Sequence, residues 1–135
     1  MSTTETRTLH HAVAGEINTQ KALAQGEIAQ LRSQIASADA QPHWLPGLAE
    51  ELQGQLAYLD QLNYIESQLT ATVRDGQDVQ LALISQLRWL ANEAALLTDN
   101  GKRESREQVR SRAAAIKTVT DAVYYTLYDG IRDAQ

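Results

Sequence analysis

The feature that most constrains this chain is a heptad-like recurrence of apolar residues in four blocks, interrupted three times by turn chemistry. The clearest block is the last. Val109, Ala113, Ile116, Thr120, Val123, Leu127, then Gly130 or Ile131, and Ala134 follow one another in steps of four and three. Such steps place side chains on one side of an α-helix. A chain of 135 residues built this way has the length of one domain. It predicts an all-α fold, an antiparallel up-down-up-down four-helix bundle, with no strand.

Turn residues set the helix bounds. The first helix is expected over residues 2–38, with capping-box spacing in Ser2-Thr3-Thr4-Glu5 and a stripe of Leu9, Val13, Ile17, Ala24, Ile28, Leu31 and Ile35. Gly15 and Gly26 inside it mark either close helix crossings or tolerated surface positions. Pro42 and Pro46 make the next connection the surest break, and Trp44 and Leu45 are expected to plug the end of the bundle. The second helix reads 46–73, with Leu48, Leu52, Leu59, Leu62, Leu69 and Val73 on one stripe, widened by Leu56, Tyr58 and Ile65. Arg74-Asp75-Gly76-Gln77-Asp78 precedes a third helix over 78–98 whose core face is Val79, Leu83, Leu87, Leu90, Ala94 and Leu97. Asp99-Asn100-Gly101 ends that helix, and a fourth runs over 102–133. Connections this short make antiparallel neighbours. The first and fourth helices are long enough to project past the third, bend, or pair with another chain as in a coiled coil.

Composition excludes several chemistries. There is no cysteine, hence no disulfide, thiolate metal site or thiol nucleophile. A di-iron bundle needs Glu-x-x-His motifs, and none of His10, His11 and His43 has a Glu three residues before it. The seven glycines are scattered rather than gathered in a phosphate-binding loop. No Ser-His-acid grouping is evident. Glu50 and Glu51, the one adjacent carboxylate pair on the second helix, fit a role at its first turn, where acids complement the dipole. The expectation is therefore no enzyme, no metal and no cofactor. The polar start of the chain and the absence of a long apolar run point to a soluble, cytoplasmic protein. The net charge of -5 disfavours nucleic acid as the partner.

Three surface anomalies remain. Trp89 and Leu96 lie seven apart on a line roughly opposite the expected core face of the third helix, with Leu81 near its edge. An exposed pair of this kind is expected to form a binding patch. On the fourth helix, Tyr124 is expected beside the core and Tyr125 and Tyr128 in solvent, in a cluster of a type enriched at interfaces. The third anomaly is charge. No Lys or Arg occurs between Arg32 and Arg74, so Glu50, Glu51, Asp60 and Glu66 form an all-acidic face. By contrast, Lys102, Arg103, Arg106, Arg110, Arg112 and Lys117 crowd the first half of the fourth helix, and Asp121, Asp129 and Asp133 its second half. That order opposes the helix dipole. It is accounted for by acids of the second helix near the basic half, by antiparallel pairing of two fourth helices across a two-fold axis, or by phosphate binding.

The reading that combines these features is a non-enzymatic helical interaction or assembly protein, an adaptor, structural or chaperone-like component. It would bind a protein partner or itself, as a homo-oligomer, through Trp89, Leu96, Tyr124, Tyr125 and Tyr128. The Ala- and Gln-rich, cysteine-free composition fits a phage or mobile-element accessory protein. The alternative is an acidic inhibitor that places Glu50, Glu51, Asp60 and Glu66 in a basic groove of a host enzyme or nucleic-acid-binding complex. The basic stretch with Arg103, Arg106 and Arg110 is then either structural or a phosphate contact.

Overall fold

A computed structural model describes residues 3–37, 41–72, 79–100 and 104–134 of the chain, with side-chain surroundings for 12–37, 41–69, 81–97 and 104–128. Among these described residues, four α-helices form a bundle: α1 (Thr3–Ala36), α2 (Leu45–Thr72), α3 (Val79–Asn100) and α4 (Arg106–Ala134). A 3-10 turn at Pro42–Trp44 leads into α2. Val73, Arg74 to Asp78, Gly101, Lys102 and Arg103 lie outside the described residues, as do Ser2, Asp39 and Ala40.

The helices are unequal in a way that shapes the bundle. At about 1.5 Å rise per residue, the 34 residues of α1 outrun the 22 of α3 by more than three turns. The closest packing is between α2 and α4, which run in the same direction. The helix α1 packs chiefly on α2, and α3 on α4. The two consecutive helices α2 and α3 meet through side chains more than through backbone, with Tyr64 and Trp89 in contact across them.

The helices α2 and α4 approach closely at the buried Gly54. A Cβ there would sit 3.0 Å from Ser111 Oγ and 3.2 Å from Glu107 Cγ. Gly15 and Gly26, by contrast, are exposed and would accept a Cβ with nothing within 4 Å. They are surface positions, and the close crossing belongs to a glycine whose sequence context does not announce it.

Burial follows the expected stripe on α1. Val13, Ile17, Ala24, Ile28 and Leu31 are buried, and Ile35 is half-buried. On α2 the core is Ala57, Leu62, Ile65 and Leu69, with Leu48, Leu52, Tyr58 and Leu59 half-buried and Leu56 exposed. The phase of α4 differs from the expected one. Ala115, Ile116, Val119 and Val123 are buried and Val109 and Leu127 half-buried, whereas Ala113 is exposed and Thr120 lies at the margin. On α3, Ala82, Leu83, Gln86 and Leu90 face inward and Ala94 is exposed. The core is therefore made of Leu, Ile, Val and Ala, without a single Phe in the chain.

Two helix starts also move. The fourth begins at Arg106, not at 102, because Ser105 caps it. Gln108 N–H donates to Ser105 Oγ at 3.1 Å, and Ser105 N–H donates back to Gln108 Oε1 at 2.9 Å. This is the reciprocal capping box, and Val109 N–H completes the turn on Ser105 O. Because α2 begins at Leu45, Glu50 and Glu51 fall in its second turn, with no acid in the first. Their effect on the dipole is correspondingly small, since it fades beyond the first turn. Trp44 does not plug the bundle end. It is 56% exposed and packs edge-on against His43 at 5.5 Å, while Leu45 is half-buried.

Candidate functional site

Two regions of the bundle carry concentrated surface chemistry, and both involve α4. The first is the junction where α2, α3 and the start of α4 meet. Arg112, whose side chain is 18% exposed, donates through Nε to both oxygens of Glu104 at 2.8 and 3.0 Å. Its NH1 donates to Asp60 Oδ2 at 2.8 Å and to Gln61 Oε1 at 3.2 Å. Burial disfavours the guanidinium charge, but the hydrogen bonds and attraction of Glu104 and Asp60 outweigh it, so the pKa of Arg112 rises above its ordinary value. An open groove of about 550 Å³ runs over this cluster, bordered by Tyr64, Glu93, Leu96 and Leu97.

This junction revises the expected charge map. Asp60 is held by Arg112, and Glu66 accepts from Lys21 Nζ at 3.0 Å, joining α1 to α2. Two of the four residues in the expected acidic face are thus neutralised within the chain, and Glu50 and Glu51 remain exposed. The basic half of α4 is divided likewise. Arg112 serves the junction, Arg110 lies 3.8 Å from Glu107 on the same helix, and Arg106 is exposed. Arg103 is outside the described residues.

Trp89 also moves inward. It packs against the core and against Tyr64 of α2, with ring centroids 5.8 Å apart. Helical phase on α3 alone could not show this, because the covering ring comes from another helix. Leu96 remains 49% exposed at the groove, and Leu81 is exposed further along α3. The expected Trp89 and Leu96 patch is therefore divided, with Trp89 packed under Tyr64 and Leu96 on the groove's rim.

The second region is the outward face of α4. Tyr124, Tyr125 and Tyr128 are 55%, 63% and 54% exposed. Tyr124 and Tyr125 lie edge to face at 5.7 Å, the arrangement that the ring quadrupole favours. The expected phase sets Tyr124 beside the core; a core centred on Ala115, Val119 and Val123 turns it outward instead. Tyr125 also borders a depression of about 460 Å³ between α1 and α4, with Glu16, Thr118 and Asp121 among its walls. Tyr58 of α2 is half-buried, with its hydroxyl 3.4 Å from both Gln20 Oε1 and Thr118 Oγ1.

Comparison with protein-family models, with curated proteins and with solved structures found no match. The surface must be read on its own chemistry. Among the described residues, no group of three or more His, Asp or Glu side chains is placed to hold a metal ion, and no helix is long and apolar enough to cross a membrane. His10 and His11 lie outside the residues whose side-chain surroundings are described. What the two regions offer chemically is a paired polar junction on one side and large amphipathic rings on the other.

Proposed function

We propose that this chain is a non-enzymatic helical interaction protein, an adaptor, structural or chaperone-like component that binds protein through the outward face of α4. The observation that carries the reading is the set of three exposed tyrosines within two turns, Tyr124, Tyr125 and Tyr128. Each ring brings a large apolar surface and a hydroxyl that still bonds when water is excluded. Tyrosine is enriched where such burial occurs between proteins, and a rigid helix presents it at little entropic cost. A cytoplasmic setting, and a place in a phage or mobile-element particle, belong to the same reading. The acidic-inhibitor reading has less support, because Asp60 and Glu66 already have cationic partners on α4 and α1.

The test is photo-crosslinking in cells. A benzophenone amino acid at position 125 should yield a protein adduct, and one at position 51 on α2 should not. The adduct at 125 should persist as salt rises, since burial of rings is not screened. No adduct from 125 would sink the proposal. An adduct from 51 that salt abolishes would favour the acidic reading instead.

A further inference from the structure

The tyrosines are one end of a longer exposed face. Taking about 100° per residue, Arg110, Ala113, Ala114, Lys117, Asp121, Tyr124, Tyr125 and Tyr128 fall within an arc of roughly 120°. All eight are exposed, and the arc lies opposite the buried Ala115, Val119 and Val123. The order of residues along this arc has a symmetry that the expected stripe of Val109, Ala113 and Ile116 obscures.

Lay a second α4 antiparallel on the first, with the two-fold axis level with Val119. Lys117 then comes level with the partner's Asp121, and Asp121 with the partner's Lys117. Arg110 comes level with the partner's Tyr128, a cation over a ring face. Ala113 comes across from the partner's Tyr124 and Ala114 from the partner's Tyr125, each about one residue off level and about 20° apart around the helix, so the largest side chains meet the smallest. Each of these pairings occurs twice, as an isologous interface requires. Opposite charges, cation and ring, and large and small all match in the same register. Within one chain Lys117 and Asp121 are 3.5 Å apart and both exposed, an i,i+4 pair weak enough to be shared with or exchanged for an intermolecular one.

We infer that the partner of the α4 face is a second copy of this chain, docked antiparallel with the two-fold axis level with Val119. This rests on the reading that the face binds protein, and it names the partner. It also gives Lys117 and Asp121, whose basic-then-acidic order opposes the helix dipole, a complement in an antiparallel neighbour.

Charge exchange tests the register. Sedimentation of the parent should give twice the mass of one chain. Lys117→Glu alone sets like charges level with one another twice, and so does Asp121→Lys; each variant alone should sediment as a monomer with unchanged helicity. Mixed one to one, the two variants should recover the dimer. The carboxylate introduced at position 117 of one chain then faces the ammonium introduced at position 121 of the other, while positions 117 and 121 within each chain remain like-charged. That recovery cannot arise within a chain. Tyr124→Glu should give a monomer that no charge partner rescues. A parent that stays monomeric at the highest concentration reached, or a dimer that these substitutions leave intact, would overturn the inference. So would monomeric variants whose mixture stays monomeric. A monomeric parent with a foreign adduct at position 125 would leave the interaction face standing and remove only the self-pairing.

Discussion

The two faces of α4 differ in how completely their chemistry is used. On the inward side, Arg112 meets two carboxylates and an amide, Ile116, Val119 and Val123 are buried, and Gly54 lets α2 come close. On the outward side, three tyrosines and five further exposed residues lie in a self-complementary order. One helix thus carries a face whose contacts are made within the chain and a face suited to contacts made outside it. The lesson is that aromatic content alone does not mark the core. Here the aliphatic side chains fill the interior, and the rings of α4 are turned to the surface.

That contrast can be broken most directly at Ile116. Truncation to Ala should cost about 2–5 kcal/mol in urea unfolding, the range for a buried large aliphatic residue. A loss near zero would place the core elsewhere. The next largest effect is expected at Arg112. Arg112→Ala leaves Glu104 without its bidentate partner in a partly buried setting and should cost roughly 1–3 kcal/mol. Because the pKa of Arg112 is raised, its contribution is fully present below its unfolded-state pKa and is lost only as the pH rises through its still higher folded value. The penalty of Arg112→Ala, compared at neutral and at mildly alkaline pH, should therefore show no change from titration of Arg112 itself.

Glycine substitutions sharpen the comparison at the helix contact. Gly26→Ala meets open space and should stabilise by up to about 1 kcal/mol through helix propensity. Gly54→Ala gains the same propensity but presses Ser111 and Glu107, so it should fall short of the Gly26 gain. Equal gains at both positions in parallel melts would remove the close-packed role of Gly54. The smallest effect is expected on the outward face. Tyr125→Ser should change the unfolding free energy of the monomer by no more than about 0.5 kcal/mol, measured at a dilution where only one chain sediments. A large loss there would mean that the ring packs within its own bundle.

Much of the fold is legible because apolar spacing is a local signal. Val13, Ile17, Ala24, Ile28 and Leu31 can be read from α1 without any knowledge of its neighbours, and all are buried. The phase of α4 is harder. Ala113, Ala114 and Ala115 are equivalent in size and polarity, so they carry no phase, and Thr118, Val119 and Thr120 are alike in shape. What decides between them is Arg112, a charge that belongs to the inner side only because Asp60 and Glu104 meet it there. Trp89 is misplaced by the sequence pattern for a related reason, since its cover is Tyr64 from α2. The start of α4 is legible in principle from Ser105-Arg106-Glu107-Gln108, which has the capping-box spacing, but the basic residues before it draw the boundary forward. The exposure of Tyr125 and Tyr128 can be read from sequence. The symmetry of their face cannot, because it depends on the corrected phase.

The central packing of α2 on α4 has a consequence for how the chain is made. A ribosome delivers the helices in order, so all of α3 emerges between α2 and its main neighbour. Until α4 follows, α1 and α2 can pair as a hairpin, but α3 lacks the helix it chiefly packs on. The interior closes late, when α4 arrives to join both parts. Folding during synthesis is thus gated by α4, and a nascent chain stalled before it would leave Leu62, Ile65 and Leu90 without Ala115, Ile116, Val119 and Val123, which share their cluster, and so open to chaperones and proteases.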